Sequence, residues 1–417
     1  MNEILTRIKP CQQEIQHFRQ VTAEFIRKLN SKLRKARALL GGSGAKDTWL
    51  AGNHDVDIFV LFDYQTFSEK SAELSSLLKP VLKRAFPGKR MVKLHGSRDY
   101  FQMRYENINF EIIPILKISK ASQAKNITDI SPLHSRWVNT HTKGLKDEIR
   151  LAKQFLRAQR LYGAESYIAG FSGYVVEILI AHYGSLEKLL KASQQWKVKE
   201  VIDAENHYPK KDALFQLNKS KTQSPLIVID PVDKTRNASA ALSIEKFLRL
   251  KAVAQAYRKK PDAKFFQEGE ITLEKMKREA EREKHNLVFI SVLPLAGKED
   301  VVGMKLLKTY GFLQGRLKGF GIKKSGWSWD KGKQAAFYFF LEKKELPKVE
   351  IRPGPPLALK EHLAGFRKKY QETFVEGGRL MARVPVRNYE LKGFVKETVK
   401  GEYVKERVKE VKEITVT

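Results

Sequence analysis

Residues 55–62 read DVDIFVLF, and no other stretch narrows so far the folds open to this chain. Side chains alternate along a strand, so Asp55 and Asp57 project from one face and Val56 from the other. From Ile58 to Phe62 every residue is apolar, so the strand enters a core directly after Asp57. The two carboxylates therefore sit at the lip of that core. Two such groups about 7 Å apart along one strand repel each other unless something positive lies between them. A divalent cation answers that need, because Mg²⁺ takes a few carboxylate oxygens, keeps some waters and accepts substrate phosphates. Taken alone, D-x-D fits a solvated strand end just as well.

A third acid and a small-residue turn sharpen the reading. In NINFEIIPI, Glu111 stands inside an apolar run, where a lone carboxylate is costly unless paired. Its partner is one of the many Lys or Arg residues, or a metal. If this second strand lies beside the first, Glu111 completes a three-carboxylate cluster. Two ions about 3.5–4 Å apart there would activate an attacking hydroxyl and stabilise a leaving pyrophosphate. Upstream, in GGSGAKDTWLAGNHDVDIFVLF, Gly41, Gly42 and Ser43 read as a turn whose backbone is free to approach a phosphate. Each element is weak alone; their order along the chain is specific.

Around this α/β unit the periodicity changes repeatedly. Residues 1 to about 40 carry apolar side chains at helical spacing: Ile4, Ile8, Ile15, Phe18, Val21, Phe25, Ile26, Leu29 and Leu33. Residues 145 to about 260 read as helices interrupted by the strand SPLIVIDP, and PDAKFF at 261 reads as a break. NLVFISVLPL, DVVGMKLLKTYGFLQGRLKGFG and AAFYFFLEKK then give strand, helix, strand, and RPGPPL at 352–357 reads as a turn and linker. The last 60 residues mix a helix with short strands and end in alternating charge. The expected division is 1–144, 145–260 and 261–417.

Lys plus Arg number 78 against 47 acids, a formal charge of +31. Abundant Lys and Glu also mark heat-adapted proteins, but that does not explain the imbalance of sign. A polyanionic partner does, with nucleic acid first and an anionic membrane surface second. Cys11 is the single cysteine, which leaves no disulfide within the chain and fits a cytoplasmic setting. The opening MNEILTRIKP has no apolar core of signal-peptide length. Apolar runs such as Ile58–Phe62 and Ala335–Leu341 fall far short of the roughly 20 residues a membrane helix needs.

These residues carry a resemblance. GGS…DVDIFVLF…FEIIP resembles the nucleotidyltransferase superfamily built on the polymerase-β-like palm. SPLHSRWV, GFSGYVVEILIAHYGS and VIDPVDKTRNASAALS extend the likeness to the archaeal class I CCA-adding enzymes over most of the chain. The resemblance implies an α+β multidomain protein: a palm, a helical central domain and an α+β C-terminal RNA-binding region. It implies template-independent addition or repair of the tRNA 3′-terminal CCA from CTP and ATP, on tRNA lacking all or part of that end. Asp55, Asp57 and Glu111 would hold two Mg²⁺ ions, Glu being less usual than Asp at the third position. Ser43 would bind the triphosphate from the turn, Lys153 and Tyr162 would meet it from roughly one side of a helix, and Gly42 and Lys46 would bind the nucleotide. Ser131 and His134 would lie near the sugar and phosphates. Arg236 would present a hydrogen-bonding edge to the base, with Asp230 orienting it or a neighbouring strand end.

The family often has a His-containing element before the third acid. Here KLHGSRDYF offers His95 and Arg98 instead, and Arg98 is expected to meet RNA. In RLKGFGIKKSGWSWDKGKQAAFYFF, Lys318, Lys323, Lys324, Trp327 and Trp329 are expected to grip RNA backbone or stack on a base. Core packing is the other reading of the two tryptophans. A homodimer is compatible with the sequence. Two rivals stay open: a poly(A) or oligoadenylate polymerase, and a non-catalytic RNA-binding module with a degenerate palm. The intact Asp55, Asp57, Glu111 and Ser43 argue against the second.

Overall fold

Alternating burial on two strands organises the first part of the chain. Strands β1 (Ala36–Leu40), β2 (Asp55–Phe62), β3 (Met91–Leu94), β4 (Tyr100–Tyr105) and β5 (Ile108–Leu116) form one sheet in the order β1-β2-β5-β4-β3. β2 and β5 are parallel neighbours at its centre. Val56, Ile58, Val60, Phe62, Phe110 and Ile112 face the helices Gln12–Asn30 and Leu74–Ala85, packing with Phe25, Leu29, Leu78 and Leu82. Phe25 stacks on Phe110 with ring centroids 4.0 Å apart and planes 3° from parallel. Each such side chain contributes about 1.5–3 kcal/mol by leaving water. The opposite face carries Phe59, Ile113 and Ile115, with Leu61 and Tyr100 against them.

This computed structural model describes residues 1–52, 55–208, 212–385 and 389–417. Asn53 and His54, within the glycine-to-aspartate stretch, lie outside the described residues. The chain divides into two compact units, Met1–Glu268 and Gly269–Thr417. Among the described residues no helix is long and apolar enough to cross a membrane.

Three local expectations are corrected. The helical pattern of residues 1–40 breaks at Pro10, giving helices Asn2–Ile8 and Gln12–Asn30, and residues 36–40 are strand β1. Asn30 drives that change. Its side-chain NH₂ donates to the Ala38 carbonyl at 3.2 Å and its carbonyl accepts from the Ala38 N–H at 2.7 Å, tethering the returning chain as an extended segment. Second, the GGS turn opens a one-turn helix, Gly42–Lys46. Third, RPGPPL is no linker: it lies in strand Val349–Pro356, at the edge of a three-stranded sheet with Arg379–Pro385 and Glu372–Glu376. Prolines are tolerated there because an edge strand can spare their missing N–H groups, and the register shifts between Pro353 and Pro356.

The rest of the first unit is mainly helical. Helices Ser131–His141, Lys146–Ala158, Gly173–Tyr183, Leu186–Gln195 and Ile244–Lys259 surround a core that includes Phe155, Phe171, Ile178 and Phe247. Gly184 takes φ 83° to end one helix, and the Ser185 hydroxyl caps the next. A small sheet of Glu200–Ile202, Leu226–Asp230 and Asp233–Asn237 sits among them. In the second unit, four antiparallel strands run in the order Ile322–Trp329, Ala335–Leu341, Asn286–Pro294, Val408–Val416. Helices Glu299–Leu317 and Leu391–Lys400 pack on one face and Leu273–Glu283 on the other, so every residue of Ala335–Leu341 is buried.

Candidate active site

The sheet register places the acids. Asp57 stands directly opposite Glu111 across the parallel β2–β5 pair, and Asp55 opposite Asn109, whose side-chain NH₂ donates to Asp55 Oδ1 at 3.3 Å. All three carboxylates belong to the face away from the Phe25 core. Burial pushes the Asp57 carboxyl above its ordinary range; the Lys46 ammonium opposes that and the Asp55 charge adds to it. Among the described residues no group of three acidic, His or Cys side chains stands in a metal-holding arrangement. What the sheet supplies is a common face, a fixed register and a set of hard oxygen donors suited to Mg²⁺.

The two glycines are required for a reason the sequence did not reveal. The Gly41 N–H donates to the Asp57 carbonyl at 2.7 Å, so the chain crosses tightly over β2. A Cβ on Gly41 would lie 2.4 Å from the Phe59 ring. Gly42 has φ +53°, and its Cβ would lie 1.7 Å from Asp57 Oδ2. The glycines therefore make room for the strand and its carboxylate.

Beside the acids lies a buried cluster of cations. Helix Lys146–Ala158 turns Arg150 and Lys153, at helical spacing, toward residues 47–49, while Lys146 donates to Thr142 and Asn139. Arg150 donates to the Asp47 carboxylate at 2.6 Å, the Asp47 carbonyl at 2.8 Å and the Trp49 carbonyl at 3.1 Å. Lys153 Nζ donates to the Thr48 hydroxyl at 2.9 Å, the Thr48 carbonyl at 3.1 Å and Glu177 Oε1 at 2.9 Å. Lys46 Nζ reaches the other oxygen, Glu177 Oε2, at 2.5 Å. Burial disfavours the Glu177 charge, but Lys153 and Lys46 override it and hold the carboxyl at about 2. Tyr162 is not on the helix with Lys153, which ends at Ala158. It is brought back by a bridge to Phe171, and Gly173 lies between the two: a Cβ there would be 2.8 Å from Tyr162 Oη and 3.8 Å from Lys153 Cε. Burial, aided by the Glu177 charge, raises the Tyr162 hydroxyl to about 12.

A second cluster converges on Asp230, which has no exposed surface. Its Oδ2 accepts from Arg236 Nη1 at 2.6 Å and contacts His134 Nε2 at 2.9 Å. Its Oδ1 accepts from the Tyr174 hydroxyl and the Val232 N–H, both at 3.0 Å. Burial works against this charge, and His134 and Arg236 outweigh it, holding the carboxyl at about 2. His134 stacks on Tyr174 with centroids 4.0 Å apart. Ser131 opens the same helix one turn earlier. Tyr174 joins the two clusters, since Lys46 Nζ lies 5.8 Å from its ring centroid.

Glu177, Thr48, Tyr174 and Arg150 escaped the sequence reading. Glu177 was findable: a lone acid inside GYVVEILIAHY poses the same question as Glu111 inside NINFEIIPI. Arg98, expected to meet RNA, is buried, and its guanidinium donates to Asp129 at 2.7 Å, the Pro114 carbonyl at 3.0 Å and the Ser71 hydroxyl at 2.7 Å, so it ties the sheet to the 126–130 turn. His95 is exposed and meets Asp99 at 2.6 Å. In the second unit Lys323 pairs with Glu342 at 3.1 Å, Lys324 pairs with Glu279, and Trp327 and Trp329 pack against the core. Lys318 is exposed at the end of its helix.

Comparisons with known proteins give the family and the fold. The nucleotidyltransferase domain family matches residues 22–133, the second domain of tRNA nucleotidyltransferase matches 147–267, and the C-terminal domain of CCA-adding enzyme matches 299–415. The chain is 36% identical over 343 residues to the CCA-adding enzyme of Nanoarchaeum equitans, covering 82% of each protein. It is 29% identical over 413 residues to that of Methanosarcina mazei (94% of this chain, 87% of that one) and 30% identical over 401 to that of Thermococcus gammatolerans (93% and 86%). Among solved structures, the Cid1 poly(U) polymerase bound to magnesium and 3′-dATP aligns with a TM-score of 0.51 at 13% identity, over 64% of this chain and 97% of that one, which is a likeness of fold. The three acids on one sheet face, the two buried clusters beside them and relatives of this identity and coverage place the chain among the CCA-adding enzymes, nucleotidyltransferases with a polymerase-β-like palm.

Proposed function

We propose that this chain builds and repairs the CCA end of tRNA without a template, using CTP and ATP. The observation that carries the reading is the register: Asp57 faces Glu111 across β2–β5, with Asp55 on the same face. Asp55, Asp57 and Glu111 are the residues to hold Mg²⁺, two ions in this reading. When bound, the metal neutralises charge on the phosphates and on the attacking oxygen. In the reaction the RNA 3′-hydroxyl oxygen bonds to the α-phosphorus, the bond to the β-phosphate breaks, and pyrophosphate leaves. Gly42 and Ser43, with Lys46, Lys153 and Tyr162, form the triphosphate side. Lys153 serves there as a point charge.

Arg236 presents two donors to the base edge. Asp230 fixes its plane, and His134 and Ser131 border the sugar and phosphates. Selection of C or A then rests on protein hydrogen bonds, with no nucleic-acid template. Positioning and preorganised charge supply most of the rate. The second unit, with Lys318, Lys323 and Lys324 on its surface, holds tRNA through phosphates and shape. A chain of charge +31 should lose tRNA affinity steeply as salt rises.

The test uses three tRNA transcripts ending before the CCA, after C and after CC, each with one labelled nucleotide at a time and Mg²⁺. CTP extending the first two by two and one residues, and ATP extending only the third by one, is the expected pattern. Long ATP ladders on any RNA would move the assignment to a poly(A)-type polymerase. Asp57→Asn should abolish extension with tRNA binding retained. Extension by that variant at the wild-type rate would refute the role of the acids.

A further inference from the structure

Glu177 takes no part in the scheme above, yet it is a fully buried charge of the site. It has no exposed surface and sits in the middle of helix Gly173–Tyr183 among Val175, Val176, Ile178 and Leu179. A carboxylate in such surroundings is retained only if its charge and both oxygens are matched. Here they are matched by two ammoniums and a hydroxyl: Oε2 by Lys46, Oε1 by Lys153 and by the Thr48 hydroxyl, which donates at 2.7 Å.

The donors can be counted. An ammonium has three N–H groups. Those of Lys153 are directed at the Thr48 carbonyl, the Thr48 hydroxyl and Glu177. Lys46 makes one hydrogen bond among the described residues, to Glu177, and lies against the Tyr174 ring. Two of its N–H groups therefore remain to be given. The charges can be counted too. Two cations on one carboxylate leave one positive charge in a nearly closed pocket, and Lys46 is close enough to Asp57 for its charge to act on that carboxyl. The vacant Lys46 donors call for an acceptor at the edge of the acidic sheet face.

We propose that Glu177 is a positioning residue of the nucleotide site: it anchors Lys46 from behind, braced by Lys153 and Thr48, so that the remaining Lys46 donors meet the triphosphate. The inference rests on the reading that the triphosphate lies beside Asp57. Glu177 itself touches no substrate, because its oxygens are spent on the two lysines and Thr48. Its effect is common to every nucleotide, since the triphosphate is the part CTP and ATP share.

The experiment compares Glu177→Gln with the wild-type enzyme in steady-state addition of C and of A, and measures inhibition by inorganic tripolyphosphate as a probe of the phosphate side alone. The amide keeps the shape and removes the charge. Without it the paired ammoniums repel, and Lys46 loses the anchor that aims it. The expected result is a rise of about tenfold in KM for CTP and for ATP together, the order for one charged hydrogen bond to phosphate. The tripolyphosphate inhibition constant should rise in parallel, with kcat changed less than threefold. An unchanged or lowered KM and inhibition constant in a folded variant overturns the proposal.

If Glu177→Gln does not fold, Lys46→Met carries the test. It removes the cation held in front while Glu177 keeps Lys153, and the same parallel rise is expected. An unaltered tripolyphosphate constant in that variant also overturns the proposal. The wild-type transcript assay separates the levels: if wild type adds CCA, constants unmoved in Glu177→Gln remove the Glu177 assignment alone, and constants unmoved in Lys46→Met remove the triphosphate role of Lys46 with it, while CCA addition stands.

Discussion

Asp230→Asn is the substitution that most directly tests the proposal that Arg236, held by Asp230, reads the base. The carboxylate is fully buried and accepts from Arg236, Tyr174 and the Val232 N–H while contacting His134. An amide of the same shape can still accept from Tyr174 and Val232 through its oxygen. Its NH₂ then points at the Arg236 guanidinium, donor against donor. The cost follows from the titration. An unfolded aspartate titrates near 3.9, and Asp230 is held at about 2, a difference worth roughly 2–3 kcal/mol of folding stability at neutral pH. Because the folded value is the lower one, this stability is fully present above about pH 4 and drains away as pH falls through about 2. Thermal unfolding of Asp230→Asn should therefore occur about 5–10 °C lower at pH 7. The deficit should shrink as both proteins are taken from pH 4 toward pH 2. In the transcript assay, kcat/KM for CTP and ATP should fall about ten- to hundredfold, the range for a disturbed charged hydrogen bond. Discrimination against UTP should narrow, because Arg236 no longer has a fixed plane. Wild-type selectivity together with a wild-type melting temperature would refute the argument that Asp230 orients Arg236.

Gly42→Ala places a methyl 1.7 Å from Asp57 Oδ2 on a backbone with φ +53°; circular dichroism should report a folded but less stable protein, and CTP addition should fall at least about a hundredfold through displacement of Asp57. Arg98→Ala leaves Asp129 buried without its cation, so it should lower stability by about 3–5 kcal/mol while the slope of tRNA affinity against salt stays unchanged. Lys318→Ala should do the reverse, leaving the melting temperature within error and reducing the magnitude of that slope by about 1.

The strands bearing the acids were legible because their physics is local. Val56, Ile58, Val60 and Phe110 alternate with residues of the other face, and only one parity puts Phe110 against Phe25. β1 was hidden because ARALL also continues a helical apolar stripe, and the tether that makes it a strand comes from Asn30, a polar residue that apolar periodicity passes over. The edge strand at 349–356 was hidden for the opposite reason: Pro353 and Pro356 punctuate a sequence as a turn does, and only the sheet order shows that no ladder needs their N–H groups. Within the site, charge proved the poorest guide. Arg98 and Lys318 look alike in sequence, yet one is an internal strut and the other lies on the surface. The pairing of His134 with Arg236 through Asp230 joins a helix to two strands about a hundred residues further along the chain, a contact that no spacing rule can supply.

The β2–β5 register has a consequence for how errors of assembly are avoided. A slip of one residue between these strands would send Glu111 into the Phe25 core and turn Phe110 and Ile112 onto the face of the acids. The burial lost would be about 1.5–3 kcal/mol for each exposed apolar side chain, before the cost of a buried carboxylate is added. The sheet thus behaves as a ruler whose graduations are cut on one side and read on the other. Grease beneath it keeps the spacing of the acids above, and selection on the hidden face is at the same time selection on chemistry it never touches.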